Sequence, residues 1–586
     1  MNERASDMTI RTYLEDAVRL APQTPAQRFF AEGVWVTRTY LQLQQRVAYG
    51  TAMVRHLGLN SDANPVGLML DNGPEWQEIY LALACSGVPV VPLDPKLRPL
   101  ELAYILRDSD AVAVFAGARL DNVLREVVRE GLALRLCVWV GESSSATEES
   151  VVALDGLDCY RYETLHKEMS STIDAKQAWL DAPRPSEATV ASLIYTSGTT
   201  GQPKGAMLTH GNFTANVADT CERVGFKATD NFLNALPLFH AFSFTANFIL
   251  PLGVKACCSF VRSMRTVSED MLILQPTILL AVPLMAEKLY ARITERLKKN
   301  RVARVLLGMG LKALVSRKVI AALGGRLRLM GIGGAPTPLA LIQGLQKVGI
   351  PVLEGYGLTE CSPGVAYPNL KGYVPGTVGR VLSSMQAKLV DANAAGVGEL
   401  CVKGPNVMKG YYKNPVATAE VFDQEGFFHT GDLVCFDAKQ NITICGRKKA
   451  LIVNREGKNI YPEEVEQIIE CCPFIKDILV LGYTTNGEGG ERVGVIAVPN
   501  LEILAGVHPK VAASDVAVEA FLREQIMAVC HGRIADYKIP RKIVIQHDPL
   551  ERTSTMKVRR AIYAGTLDEF TRSSLMGTTG VADKSC

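Results

Sequence analysis

Short apolar runs that end in turn residues recur along the chain and alternate with stretches of helical character. The runs PVGLML, VPVVPL and AVAVFA are separated by helical stretches that follow Pro74 and Pro99. Such alternation indicates an α/β fold in which helices cover layered sheets. The pattern returns in later runs that begin at Leu193, Pro276, Leu327 and Ile350. The runs follow no fixed period, which argues against a solenoid.

The character of the sequence changes near residue 446. There the charged loop GRKKALIVNREGKN leads into YPEEVEQIIE, whose Pro462 and paired glutamates suit the start of a helix. A chain of 586 residues is also too long for one hydrophobic core. We therefore predict a large N-terminal domain over residues 1–446, a smaller α+β domain over residues 447–565 and a flexible tail over residues 566–586.

Composition and charge exclude several classes of protein. The 63 Lys and Arg residues nearly balance the 60 Asp and Glu residues, so the whole molecule gives no reason to expect a nucleic-acid partner. The cysteines lack the C-x-x-C spacing of a zinc or thioredoxin-like site, which predicts buried, reduced thiols. The N-terminus is charged where a secretory signal needs an apolar core, which predicts a cytoplasmic protein. Residues 244–261 and 272–284 are apolar but interrupted, and we predict buried strands or core helices there.

The strongest local signal is TSGTTGQPKG, which directly follows the apolar run ASLIY. Small residues let the backbone approach phosphates closely, while hydroxyls and Lys204 supply donors and positive charge. The segment therefore predicts a phosphate clamp. It is not a Walker loop, because Pro203 stands where that pattern has its second glycine. A flexible linker is the alternative, but linkers rarely lie between two apolar runs.

This segment resembles the phosphate loop of the adenylate-forming superfamily, which contains acyl-CoA synthetases, luciferases and the adenylation domains of peptide synthetases. Further motifs follow in that family's order, and the resemblance spans residues 10–565. It implies a large N-terminal domain, a smaller mobile C-terminal domain and the binding of ATP. The loop residues that it assigns to ATP are Thr196, Ser197, Gly198, Thr199, Thr200, Gly201 and Lys204.

The motif GYGLTE matches the next family segment. By resemblance, Tyr356 stacks on adenine, Thr359 hydrogen-bonds the α-phosphate and Glu360 holds Mg²⁺. The negative charges of a carboxylate and a triphosphate repel each other unless a metal ion lies between them. The resemblance also assigns Gly355 and Gly357 to the nucleotide site.

Further motifs extend the predicted nucleotide site. GIGGAP resembles the segment on the adenine side, which contains Gly334 and Ala335. HTGDLV and GRKK resemble the segments whose aspartate and arginine reach the ribose, here Asp432 and Arg447. Taken singly, each of these charged residues would more often face solvent.

The resemblance assigns the C-terminal region to domain movement and to the thiol. It places a hinge at Lys449, and it places the thiol-side loop at residues 454–466, with Gly457 lining the thiol tunnel. RTSTMKVRR resembles the closing motif, with Lys557 as its lysine and Met556 in place of its glycine. The resemblance implies a reaction in two steps. Adenylation uses Lys557, and rotation of the small domain then withdraws this lysine and brings in the thiol-side loop.

The class of substrate is restricted by one motif in which the sequence differs from amino-acid-activating ligases. Ligases for α-amino acids hold the amine with the aspartate of F-D-x-S, whereas LPLFHAFSF has His240 in that place. This departure argues against an α-amino acid as the substrate. The segment EGKNIYPEE and its apolar flanks resemble long-chain fatty acid ligases, and this resemblance implies a fatty acid of medium to long chain. Phe239 and Phe242 would then lie beside His240 at the entrance of an apolar pocket. A histidine among aromatic residues is as often a core residue.

The thiol acceptor has two candidates. Coenzyme A is the commoner acceptor in the family, and the phosphopantetheine of an acyl carrier protein is the alternative. Residues 288–328 carry twelve Lys and Arg residues but one acid, Glu295. This positive charge would suit binding to an acidic carrier protein or to the anionic inner face of a membrane. The alternative is that the segment is a helical face exposed to solvent. A fatty acyl-AMP ligase and a silent adenylate-binding regulator are further alternatives, although the retained Lys204, Glu360 and Lys557 argue against the regulator.

Overall fold

The computed structural model describes residues 8–60, 65–141, 153–196, 202–299, 312–484, 490–552 and 558–568. The chain forms two compact units. The larger unit comprises residues 1–387, 402–429 and 437–442, and the smaller unit comprises residues 388–401, 430–436 and 443–586. The predicted domain boundary between residues 446 and 447 and the predicted tail stay predictions.

The strands are numbered in chain order. Their bounds are β1 Pro25–Ala31, β2 Val34–Thr39, β3 Val66–Met69, β4 Val90–Pro92, β5 Ala113–Gly117, β6 Leu136–Val140, β7 Asp158–Arg161, β8 Val190–Thr196, β9 Lys204–Thr209, β10 Asn231–Asn234, β11 Cys257–Phe260, β12 Ile278–Ala281, β13 Leu329–Ile332, β14 Val352–Glu354, β15 Tyr356–Gly357, β16 Gly364–Tyr367, β17 Arg380–Val381, β18 Gln386–Val390, β19 Gly398–Lys403, β20 Phe428–Phe436, β21 Ile442–Arg447, β22 Ile452–Val453, β23 Asn459–Ile460, β24 Ile475–Tyr483, β25 Arg492–Pro499 and β26 Lys542–Ile545.

The α-helices are numbered in the same way. Their bounds are α1 Ile10–Leu20, α2 Tyr40–His56, α3 Pro74–Cys85, α4 Pro99–Asp108, α5 Asp121–Val128, α6 Tyr162–Thr172, α7 Ala175–Asp181, α8 His210–Val224, α9 Ala241–Phe244, α10 Leu250–Val254, α11 Val267–Leu274, α12 Pro283–Lys299, α13 Lys312–Ala322, α14 Leu339–Lys347, α15 Pro415–Val421, α16 Pro462–Ile469, α17 Leu501–Val507, α18 Pro509–Ala512, α19 Asp515–Cys530 and α20 Arg560–Tyr563.

The larger unit contains two seven-stranded sheets, which confirm the predicted α/β class. One sheet has the order β7-β6-β5-β3-β4-β8-β9 and the other has the order β14-β13-β12-β10-β11-β1-β2. Each sheet is parallel except for one antiparallel pair at an edge, β8 with β9 and β1 with β2. Most of the parallel strands are apolar, as expected for strands whose two faces are covered by helices, and β12 is buried along its whole length.

The apolar stretch 244–261 is buried, as predicted, but it mixes several kinds of structure. A single π-helical turn, Thr245–Ile249, separates α9 from α10, and β11 follows. The ring of Phe244 packs edge-on against Trp76 and Tyr80 of α3, with centroids 6.0 and 4.8 Å apart. In the described residues, no helix combines the length and apolarity that crossing a bilayer would require.

The smaller unit has its own core. Strands β24 and β25 pair antiparallel and β26 joins β25 in parallel. Helix α16 begins at Pro462, where the sequence predicts a helix start. The core comprises apolar residues from α16, α19 and the three strands, among them Val465, Ile469, Val480, Val495 and Ile526.

The basic segment 288–328 is partly helical, and many of its cations are exposed. Lys288, Arg292 and Arg296 lie on the exposed surface of α12. Arg328 differs, because its guanidinium pairs with the buried carboxylate of Asp230. Contact of this segment with a membrane or with an acidic carrier protein stays a prediction.

Two buried histidines of the larger unit predict a stability that depends on pH. Nδ1 of His210 accepts a hydrogen bond from the Ile10 amide at 3.3 Å. Burial lowers the pKa of His210 from 6.5 to about 3 and the pKa of His166 to about 4. In the unfolded chain both histidines titrate near pH 6.5, so the unfolded state binds more protons below that pH.

We therefore expect the free energy of unfolding to fall as the pH is lowered from 6.5 to 5.5. Each histidine contributes up to about 1.4 kcal/mol per pH unit. His210→Asn keeps a hydrogen-bond acceptor but does not titrate, so its denaturation curves, measured at pH 5.5, 6.5 and 7.5, should show a smaller slope than the wild type. An unchanged slope would contradict burial of a neutral His210.

Candidate active site

The predicted adenine-side segment and the GYGLTE loop both follow the carboxyl ends of neighbouring parallel strands. Ile332 of β13 lies opposite Glu354 of β14. The amide of Gly355 donates a hydrogen bond to the Ile332 carbonyl at 2.9 Å. Ligands of open α/β sheets bind at such strand ends. The structure therefore brings these two predicted segments together.

Glycines at these strand ends allow the backbone to come close to aromatic rings. A Cβ at Gly333 would lie 3.3 Å from the ring of Phe242. Gly334 has φ +86° and is exposed, and Ala335 beside it is partly exposed. Phe242, which the sequence places at the acyl entrance, therefore lies beside the predicted adenine-side segment.

The GYGLTE loop folds back on itself as a short hairpin. Strand β15 pairs antiparallel with β16, and Tyr356 on β15 is partly exposed. A Cβ at Gly357 would overlap the carbonyl oxygen of Pro363. The glycine at position 357 is therefore required by the close approach of two backbone segments. Thr359 and Glu360 follow in a 3-10 turn, both partly exposed.

Buried amides hold the end of this turn in place. Asn216 of α8 and Asn406 both donate to the Gly364 carbonyl, at 2.9 and 2.6 Å. Both amides also reach the Cys361 carbonyl, at 3.4 and 3.1 Å. The hydroxyl of Thr245 donates to the Ser362 carbonyl at 2.9 Å. These contacts fix the backbone that carries Glu360, because buried carbonyls require donors.

Glu360, Tyr411 and Lys204 form a cluster of charged and aromatic groups. The hydroxyl of Tyr411 donates a hydrogen bond to Oε1 of Glu360 at 2.9 Å. The ammonium of Lys204 lies 5.2 Å from the centroid of the Tyr411 ring. A cation over a ring face is stabilised by the ring quadrupole. The predicted phosphate-binding lysine and the predicted metal ligand therefore share one neighbour, Tyr411.

The residues on either side of the predicted phosphate loop are paired strand ends. Thr196 at the end of β8 lies opposite Lys204 at the start of β9. The predicted residues between them, Ser197, Gly198, Thr199, Thr200 and Gly201, lie outside the described residues. The hydroxyl of Tyr195 is anchored by a 2.6 Å hydrogen bond to Asp108, and burial raises its pKa well above its ordinary value. The entry into the loop is therefore held by α4.

A buried carboxyl group beside the adenine-side segment was not predicted. Glu354 ends β14 and is 9 % exposed. Its Oε2 accepts a hydrogen bond from the Tyr373 hydroxyl at 2.9 Å. Burial raises the pKa of Glu354, and the hydrogen bond from Tyr373 opposes that rise. The available signal was an acid at the end of an apolar run, which is an unusual position for a carboxylate.

His240 lies at the start of α9 and is partly exposed. Its ring is tilted against Phe239, with centroids 4.4 Å apart. The partial exposure distinguishes it from the fully buried His210. Its predicted position at an acyl entrance stays a prediction.

The smaller unit contains the remaining predicted residues. Nε of Arg447 lies 2.6 Å from Oδ1 of Asp432, whose side chain is 4 % exposed. These two predicted ribose-binding residues are thus brought together as an ion pair. Lys449 lies in a 3-10 turn that follows Arg447.

Residues 454–458, at the start of the predicted thiol-side loop, form a tight turn. Gly457 has φ +73°, which a residue with a side chain rarely adopts. The side chain of Asn454 accepts hydrogen bonds from the amides of Glu456 and Lys458, at 3.0 and 2.8 Å. Lys557 lies outside the described residues.

Comparisons with known proteins agree with the motifs. The family model described as AMP-binding enzyme matches residues 14–412. The human long-chain-fatty-acid–CoA ligase 6 is 31% identical, over 80% of this chain and 70% of that protein. The peroxisomal long chain acyl-CoA synthetase 7 of Arabidopsis thaliana is 28% identical, over 94% of this chain and 78% of that protein.

Solved structures share the fold. ATP-bound MatB from Rhodopseudomonas palustris superposes with a TM-score of 0.74 at 23% identity, over 95% of this chain and 98% of that one. The anthranilate CoA ligase AuaEII in complex with anthranoyl-AMP gives a TM-score of 0.74 at 21% identity, over 96% and 98%. The family predicted from the motifs is therefore confirmed: this chain belongs to the family of AMP-binding enzymes.

Proposed function

We propose that this chain is an AMP-forming ligase that uses ATP to join a long-chain fatty acid to coenzyme A. The curated relatives that are long-chain acyl-CoA synthetases support the acid and the acceptor. The observation that carries the proposal is the Lys204–Tyr411–Glu360 cluster, which holds a cation and a carboxylate next to the phosphate loop. The comparisons favour coenzyme A over the phosphopantetheine of a carrier protein.

In the first step the fatty acid carboxylate attacks the α-phosphorus of ATP. A new oxygen–phosphorus bond forms, the bond to pyrophosphate breaks, and acyl-AMP results. The nucleophile is the substrate itself, so the protein needs no nucleophilic side chain. Its work is to position the reactants and to stabilise charge on the phosphoryl group and on departing pyrophosphate. Lys204 is the described cation that we assign to this role.

The residues present fit a magnesium ion. Glu360 offers a partly exposed carboxylate oxygen, which Mg²⁺ binds together with substrate phosphates. When bound, the ion neutralises part of the phosphate charge. Thr359 beside Glu360 is the proposed donor to the α-phosphate, and Tyr356 is the proposed surface for adenine. We assign the ribose to Asp432 and Arg447, and the second cation of adenylation to Lys557.

In the second step the thiol of coenzyme A attacks the acyl carbonyl and AMP leaves. Acyl-AMP is a mixed anhydride with a good leaving group, so a positioned thiol needs little further assistance. Gly457, in its tight turn, is the proposed lining of the path for the thiol. His240 and Phe242 are the proposed neighbours of the acyl chain.

The acceptor is tested by measuring thioester formation with two thiols side by side. We expect palmitate, ATP and Mg²⁺ to give palmitoyl-CoA with coenzyme A and little product with an acyl carrier protein that bears phosphopantetheine. Mass spectrometry of both products at matched thiol concentration makes the comparison. Acylation of the carrier protein alone would show that the proposed acceptor is wrong.

A further inference from the structure

Tyr411 links two groups of the proposed ATP site, and neither the family motifs used above nor the reaction steps assign it a role. Its side chain is buried, with 8 % of the residue exposed. Its hydroxyl donates a hydrogen bond to Oε1 of Glu360 at 2.9 Å, so the tyrosine contacts the proposed metal ligand directly.

The backbone around Tyr411 is bonded to both segments that it connects. On one side, the amides of Met207 and Tyr412 bind the carbonyls of Gly410 and Gly205, at 2.9 and 2.8 Å, so residues 409–412 extend the edge of β9. On the other side, the amide of Met408 donates to the Glu360 carbonyl at 2.7 Å. Residues 408–412 therefore join the strand of Lys204 to the turn of Glu360.

The position of Tyr411 is further fixed from α15. Its amide donates to the hydroxyl of Thr418 at 2.9 Å. Gly410 has φ +140°, and a Cβ there would lie 2.9 Å from the Thr418 methyl group. The glycine thus permits the close approach that brings the tyrosine ring between Lys204 and Glu360. Packing alone would be satisfied by phenylalanine, whereas the hydrogen bond to Glu360 requires the hydroxyl.

We propose that Tyr411 is a positioning residue that sets the orientation of the Glu360 carboxylate for Mg·ATP through its hydroxyl and restrains the Lys204 ammonium through its ring. This inference rests on the proposed function, because it takes Glu360 as the magnesium ligand. A carboxylate held by one charge-assisted hydrogen bond has fewer orientations to lose when the ion binds. The hydroxyl should therefore matter for magnesium-dependent binding, and the ring should matter with or without the ion.

The test compares ATP binding to Tyr411→Phe, Tyr411→Leu and wild type by calorimetry, with Mg²⁺ and with EDTA. Tyr411→Phe should weaken Mg·ATP binding about tenfold, as expected for one lost hydrogen bond to a charged group, and should leave metal-free ATP binding unchanged. Tyr411→Leu should weaken both. Tyr412→Phe is the matched control, since its hydroxyl lies 3.4 Å from Asp110 and away from Glu360, and it should bind as the wild type does.

A double-mutant cycle separates positioning from a general effect on the fold. In the Glu360→Gln background, Tyr411→Phe should change Mg·ATP binding much less than in the wild type. Equal loss in both backgrounds, or unchanged Mg·ATP binding in Tyr411→Phe, would overturn the inference. Thermal unfolding without nucleotide shows whether each variant is folded. If Tyr411→Phe is not, Tyr411→Met serves as the smaller variant that offers no hydrogen-bond donor, and its loss of ATP binding should be larger with Mg²⁺ than with EDTA. The proposed function is judged separately, by whether the wild type forms acyl-AMP.

Discussion

Replacing Glu360 by glutamine is expected to slow acyl-AMP formation about 100- to 1000-fold, a loss typical of removing a main electrostatic contact to the transition state. Glutamine has the same shape and keeps an oxygen that can accept the Tyr411 hydroxyl, which lies 2.9 Å from Oε1 in the wild type. What it loses is the negative charge that Mg²⁺ needs. The measurement is single-turnover formation of palmitoyl-AMP at saturating ATP.

The control for this variant is Glu420→Gln. Glu420 is exposed on α15, near Tyr411 in sequence but outside the cluster, so its adenylation rate should equal that of the wild type. Both variants should unfold at the wild-type temperature. Adenylation by Glu360→Gln within threefold of the wild-type rate would contradict the assignment of Glu360 to the metal.

Replacing Glu78 by alanine is expected to destabilise the larger unit by about 3–5 kcal/mol, the usual consequence of removing one partner of a buried ion pair. Glu78 lies on α3 and is 1 % exposed. Its carboxylate binds Arg38, Nε of Arg46 at 2.6 Å and the hydroxyl of Tyr162 at 3.3 Å. Without it, both arginines would lose their hydrogen-bonded ion-pair partner.

Urea denaturation followed by tryptophan fluorescence measures this loss. Glu126→Ala, at an exposed position of α5, is the control and should change the free energy of unfolding by less than about 0.5 kcal/mol. A Glu78→Ala protein as stable as this control would show that the buried network does not stabilise the unit.

Local pattern predicted several strands and helices of the chain, because most of the parallel strands are short apolar runs between helix starts. Strand β3 and helices α3 and α4 lie where the sequence indicates them. The order of the strands was not predictable in this way. Gln27 of β1 pairs with Cys258 of β11, and no periodicity in the sequence relates strands so far apart.

The π-helical turn at Thr245–Ile249 was also missed. Apolar composition predicted burial of this stretch, and its residues are indeed buried or partly buried. Composition does not distinguish a strand from a helix in a short apolar run. A local change of helical pitch depends on packing against Trp76 and Tyr80, which lie far away in the sequence.

The candidate site likewise contains residues that the sequence predicted and residues that it did not. Contiguous motifs predicted Lys204, Tyr356, Glu360 and Asp432, because a single short segment contains each signal. The groups that hold Glu360 and its turn come from distant segments, and their identities carry no local signal. They are Asn216, Asn406 and Tyr411.

The most direct test of the proposed activity is fatty acid-dependent exchange of labelled pyrophosphate into ATP, measured without any thiol. Adenylation is reversible before a thiol acts, so an enzyme that forms acyl-AMP must exchange pyrophosphate. We predict exchange with palmitate and Mg²⁺, none without the acid, and exchange about 100- to 1000-fold slower when Glu360→Gln replaces the wild type. The absence of exchange with every carboxylic acid in a panel from acetate to stearate would contradict the account.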